Sequence, residues 1–129
     1  MFHIGHLNLL RKAKEYCEFL LVGVSTDEVT ISYKKKKPII PFEERLAIVA
    51  ELRCVDQAVA QETMDKLVVW ERYRYDVLFH GSDWKDTDMY REIQRRLELC
   101  SVDVVFLPYT SGTSSTILSE KLYNLNGVR

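Results

Sequence analysis

Three largely apolar runs constrain this chain more than anything else in it: Phe19-Leu20-Leu21-Val22-Gly23-Val24, Asp76-Val77-Leu78-Phe79-His80 and Val102-Asp103-Val104-Val105-Phe106-Leu107. A strand that shows no polar face is covered on both sides, as in a parallel sheet with helices packed against it. The segments between the runs read as helices. From Gly5 to Cys17 the apolar residues Leu7, Leu10, Ala13 and Cys17 recur at helical spacing, with Arg11, Lys12, Lys14 and Glu15 among them. Phe42 to Leu52 shows an apolar stripe of Phe42, Leu46 and Val49, with Pro41 suited to a first turn and Glu43 and Glu44 to the positive end. Further helical patterns run from Met64 to Tyr73, Thr87 to Leu99 and Ile117 to Leu125, and Val55 to Ala60 adds a short strand. Such alternation predicts a single α/β domain over residues 1–129, a parallel sheet flanked by helices. Ligands of these sheets bind beyond the carboxyl ends of the strands.

Composition narrows the function classes. A formal net charge of -1 gives no general attraction to nucleic acid or to an anionic membrane, so any anion site must be local. Cys17, Cys54 and Cys100 lie far apart without metal-ligand spacing, which predicts free thiols in a cytoplasmic protein. No apolar run reaches the length of a membrane span.

One local anion site stands out. His3, Ile4, Gly5 and His6 open the first helix, placing two imidazoles on one face of its N-terminus with a side-chain-free residue between them. Unpaired N–H groups and the helix dipole at such a start attract phosphate. Three other stretches fall at strand ends. Ser25-Thr26-Asp27-Glu28 suits a capping box on Ser25 and Glu28. Gly81-Ser82-Asp83-Trp84 follows the second run. After the third, Tyr109 leads into Thr110, Ser111, Gly112, Thr113, Ser114, Ser115 and Thr116, more hydroxyls than a cap requires. Lys34 to Lys37, closed by Pro38 and Pro41, reads as a loop able to make one or two phosphate contacts. Arg53 and Asp56 suit a local ion pair as well as a ligand contact.

Taken in order, His3-Ile4-Gly5-His6, Ser25 to Glu28, the lysine loop, Pro41 to Arg45, Arg53 to Asp56, Gly81 to Trp84 and Thr110 to Thr116 resemble the cytidylyltransferases of the nucleotidylyltransferase superfamily, most of all those acting on glycerol 3-phosphate. The resemblance covers essentially the whole chain and implies a Rossmann-like fold and a homodimer. It implies that His3 and His6, with Ile4 and Gly5, bind the CTP phosphates, and that Lys36 joins them at the triphosphate. Lys34, Lys66, Arg45 and Arg53 would serve the second substrate. Gly81, Asp83 and the residues from Tyr109 to Thr116 would surround the nucleotide. Family members carry a strand just before the H-x-G-H motif, whereas only Met1 and Phe2 precede His3 here. The expectation is therefore a sheet lacking its first strand. Tyr109 stands where the family has an arginine.

The reaction implied is in-line attack of a substrate phosphate oxygen on the α-phosphorus of CTP, with pyrophosphate leaving. Imidazolium, lysines, helix amides and Mg²⁺ would offset the developing charge. Phosphoethanolamine or phosphocholine are alternative acceptors. Alternative functions are adenylyl transfer from ATP and a non-catalytic nucleotide-binding module.

Overall fold

A computed structural model describes residues 2–82 and 85–108. Its elements alternate as the apolar pattern predicts: α1 (Ile4–Glu15), β1 (Leu21–Ser25), α2 (Asp27–Lys34), α3 (Phe42–Ala50), β2 (Gln57–Gln61), α4 (Lys66–Tyr73), β3 (Val77–Gly81), α5 (Asp88–Leu99) and β4 (Asp103–Leu107). The helix expected from Ile117 to Leu125 lies outside the described residues.

Both strand pairs are parallel. β1 lies beside β2 from Leu21 opposite Gln57 to Ser25 opposite Gln61. β3 lies beside β4 from Val77 opposite Asp103 to Gly81 opposite Leu107. The described strands form two two-stranded sheets rather than one of four. A cavity of about 680 Å³ is lined by Leu21 and Val22 of β1, by Val77, Leu78 and Phe79 of β3, and by Leu10 of α1. The two sheets, one in each half of the described chain, thus share walls of one cavity. It also corrects the expectation that these runs are covered on both faces. Leu21, Val22, Val77, Leu78 and Phe79 are only partly buried and line this cavity.

The halves nevertheless share a core. Ala13, Leu20, Val24, Val49, Val55 and Leu107 form one buried cluster, with Phe79 and Val105 packed against it. Tyr90 and Leu97 of α5 are also buried, as is Val102, which leads into β4.

Local chemistry sets the helix starts. The Thr26 hydroxyl accepts from the Val29 amide at 3.2 Å, so Thr26 caps α2 and not Ser25 as the spacing suggested. Ser25 is the last residue of β1, its backbone committed to the ladder. Asp65 caps α4 by accepting from the Leu67 amide at 2.9 Å, and Thr87 caps α5. Two further expectations change. Lys34 belongs to the last turn of α2, and the loop proper follows Lys35, which closes that helix in the left-handed conformation at φ 61°. Asp56 pairs with Lys14 at 2.7 Å and accepts from the Leu20 amide at 2.6 Å, leaving no pair with Arg53. The Leu20 amide, then the Lys14 ammonium, hold the Asp56 carboxyl below its usual range. This contact ties the end of α1 to the starts of β1 and β2.

Candidate active site

The first turn of α1 is built by its own histidines. His3 is the N-cap, in extended conformation, and its Nδ1 accepts from the Gly5 amide at 3.0 Å. Its own amide donates to Nδ1 of His6 at 3.2 Å. The pair forms a reciprocal capping box in which imidazoles replace the usual hydroxyl and carboxylate. The rings lie 4.1 Å apart between centroids, and Phe2 stacks on His6 at 5.4 Å.

This arrangement fixes protonation as well as position. Each Nδ1 accepts a hydrogen bond and carries no proton, so each neutral ring bears its proton on Nε2. Burial lowers the pKa of His3. Burial first, then the charges of His3 and Lys34 among others, bring His6 from 6.5 down to about 4. Both shifts favour the neutral form, in which the pair offers two Nε2–H donors at a helix N-terminus.

A pH dependence follows. His6 has a lower pKa folded than unfolded, so between 6.5 and about 4 the unfolded chain binds more protons. Its contribution is complete above the unfolded value and is lost as pH falls through that window. Urea unfolding near pH 7 and near pH 5 is expected to show a larger loss of stability in the parent than in His6→Gln, which has no such titration. Equal losses would refute the depressed His6 pKa.

The lysine run separates into different tasks. Lys34 is exposed in the last turn of α2, its ammonium 5.7 Å from the centre of the Tyr33 ring, and its charge is the smallest of the influences that lower the His6 pKa. Lys35 donates to the Ser32 carbonyl at 2.9 Å and so serves its own helix. Lys36 is exposed on the loop that follows. Lys66 opens α4 beyond the carboxyl end of β2, lines the cavity between the half-sheets, and has its pKa lowered by burial.

The remaining candidates disperse. Gly81 is buried at the carboxyl end of β3, and Ile4 is exposed at the start of α1. Arg45 is engaged with protein groups: its Nη1 donates to the Ser25 carbonyl at 2.8 Å, Nη2 to Asp27 Oδ1 at 2.7 Å, and Nε to the Ile40 carbonyl at 2.9 Å. Arg53 is exposed between α3 and β2. Asp83, Tyr109, Thr110, Ser111, Gly112, Thr113, Ser114, Ser115 and Thr116 lie outside the described residues. Among the described residues no three His, Cys, Asp or Glu side chains gather as metal ligands, and no helix is long and apolar enough to cross a membrane. Sequence reasoning did not single out Asp27 as the partner of Arg45. The only local signal was its place in Ser25 to Glu28, which says nothing of a residue 18 positions away.

The chain is similar to known proteins over most of its length. A glycerol-3-phosphate cytidylyltransferase of Bacillus subtilis is 30% identical over 132 residues, covering 97% of this chain and 92% of the relative. The enzyme of the same name from Staphylococcus aureus is 32% identical, covering 95% of this chain and 88% of its own. Among solved structures, the lipopolysaccharide core biosynthesis protein of Thermoplasma volcanium superposes with a TM-score of 0.70 at 26% identity, covering 88% of this chain and 90% of that one. Residues 1–121 match the family described as cytidylyltransferase-like. With histidines that pin one another at a helix start and a fold of alternating parallel strands and helices, this chain belongs to the cytidylyltransferase-like family.

Proposed function

We propose that this protein transfers the CMP moiety of CTP to a phosphorylated small alcohol, glycerol 3-phosphate foremost, releasing pyrophosphate. The observation that carries the reading is the reciprocal His3–His6 capping box, which leaves both Nε2–H groups as donors at a helix N-terminus. The acceptor phosphate is already an anion, so no nucleophilic side chain is required. The work left to the protein is orientation and stabilisation of charge on the α-phosphate and the departing pyrophosphate. Neutral donors suit that work because they stabilise developing charge without first requiring proton uptake.

The acceptor is read from Lys66. Its ammonium, destabilised by burial, gains from an approaching phosphate and repels a quaternary ammonium. The Bacillus and Staphylococcus relatives, named for glycerol 3-phosphate, support the same acceptor. Mg²⁺ fits as an ion carried by the triphosphate, since magnesium sites commonly combine substrate phosphates and water with few protein ligands. When bound it screens phosphate charge.

A pyrophosphate-release screen of CTP and ATP against glycerol 3-phosphate, phosphoethanolamine and phosphocholine tests the reading. Release with CTP and glycerol 3-phosphate is expected to exceed every other pair. Lys66→Ala is expected to raise KM for the acceptor and leave KM for CTP nearly unchanged. Faster release with ATP would move the protein to adenylyl transfer. CTP binding by calorimetry without release for any acceptor would make it a nucleotide-binding module.

A further inference from the structure

The strongest contact set outside the histidine pair centres on Arg45. From the first turn of α3 its guanidinium reaches three separate parts of the chain: the end of β1 through the Ser25 carbonyl, the first residue of α2 through Asp27, and the end of the lysine loop through the Ile40 carbonyl. Asp27 completes the knot, its other oxygen accepting from the Phe42 amide at 3.4 Å. Both partners are well shielded, with side chains 16% and 23% exposed. Bidentate and multi-point guanidinium contacts of this kind fix geometry in a way a single ammonium cannot.

What the knot fixes is the segment that carries the lysines. α2 is short, eight residues, with Lys34 in its last turn. Its first residue is held by Arg45, and the loop leaving its far end is held at Ile40 by the same side chain. Between those anchors Lys36 and Lys37 are exposed. We infer that Arg45, clamped by Asp27, is a positioning residue that sets where Lys34 and the lysine loop stand relative to the His3–His6 pair. In this role it acts through the loop rather than on a substrate. The inference rests on the proposed phosphoryl chemistry for its catalytic consequence, though the clamp itself does not.

Two readouts test it. Amide hydrogen exchange of the full chain is expected to quicken in Arg45→Ala at Lys35 and Phe42, the hydrogen-bonded amides on either side of the loop, while α5 and β4 keep the parent's protection. Arg45→Lys, which can satisfy one of the three acceptors at a time, should fall between. In pyrophosphate release, misplacement of a positioning group by about 1 Å can cost about 10²-fold, so Arg45→Ala should lose up to that much. The cost of Lys34→Ala should shrink in the Arg45→Ala background, because a displaced lysine has less left to lose. Unchanged loop exchange would overturn the clamp. Faster exchange with undiminished turnover, or independent costs that simply multiply, would overturn the positioning role and favour direct contact or none. If the parent releases no pyrophosphate the proposed function fails, and the exchange data still decide whether Arg45 holds the loop.

Discussion

Replacing His3 with asparagine is expected to lower pyrophosphate release by about 10²–10³-fold, the usual cost of deleting one preorganised donor to a charged transition state. Asparagine is chosen because it is a good N-cap and can accept from the Gly5 amide as His3 Nδ1 does, at 3.0 Å. Its own donor, the Nδ2 amide, lies closer to the backbone and falls short of the position of Nε2–H. The variant therefore keeps the helix start and removes the outward donor, and its thermal midpoint should stay close to the parent's. His3→Ala loses cap and donor together, adding about 1 kcal/mol of instability to a similar loss of turnover. His6→Ala should match it in turnover and exceed it in instability, because His6 also stacks on Phe2 and accepts from the His3 amide. Near-parent turnover in His3→Asn, measured at saturating CTP and acceptor, would remove His3 from the chemistry.

The reason for expecting so large an effect lies in how the pair is held. Each imidazole is oriented by a main-chain amide, with the second ring at 4.1 Å further limiting its freedom. Little reorganisation is left for the moment at which charge develops, which is where electrostatic catalysis draws most of its advantage. The glycine between them belongs to the same device. Gly5 supplies the amide that fixes His3 and is itself buried.

Much of this is legible in the sequence. The order of helices and strands follows from periodicity, and every described element begins within a few residues of its predicted start. Local pattern serves well where the physics is local: Leu7, Leu10 and Ala13 face one side of α1 because a helix repeats every 3.6 residues. It fails where the partner is distant. Nothing around Asp56 points to Lys14, 42 positions earlier, and Arg53 was the nearer and plainer candidate. The capping of α2 by Thr26 rather than Ser25 is a smaller failure of the same kind, since the pairing of Ser25 with Gln61 settles it. Alternation likewise predicts parallel pairing without saying which edges meet, so two half-sheets and the cavity between them emerge only in three dimensions. In the candidate site the residue types were readable, but their charge state was not. An H-x-G-H spacing puts the rings side by side, whereas the choice of a neutral Nε2–H form depends on hydrogen-bond direction and burial.

The largest stability effect is expected at Leu97. Leu97 is 0% exposed, and it lies on α5, which packs on β4. Its carbonyl accepts from the Cys100 amide at 2.9 Å and from the Val102 amide at 3.0 Å, so the turn into β4 is folded over this residue. Leu97→Ala removes a whole buried side chain where that turn limits collapse, and is expected to cost about 2–5 kcal/mol. Against a total stability of about 5–15 kcal/mol for a domain, that is a large share of what holds the chain folded. Leu97→Met, which nearly conserves volume, should cost less than about 1.5 kcal/mol. Leu99→Ala, two residues along the same helix but 78% exposed, should stay within about 0.5 kcal/mol of the parent. Urea unfolding of the three variants checks the order. A cost for Leu97→Ala no greater than that for Leu99→Ala would mean that the α5–β4 half is not packed around Leu97.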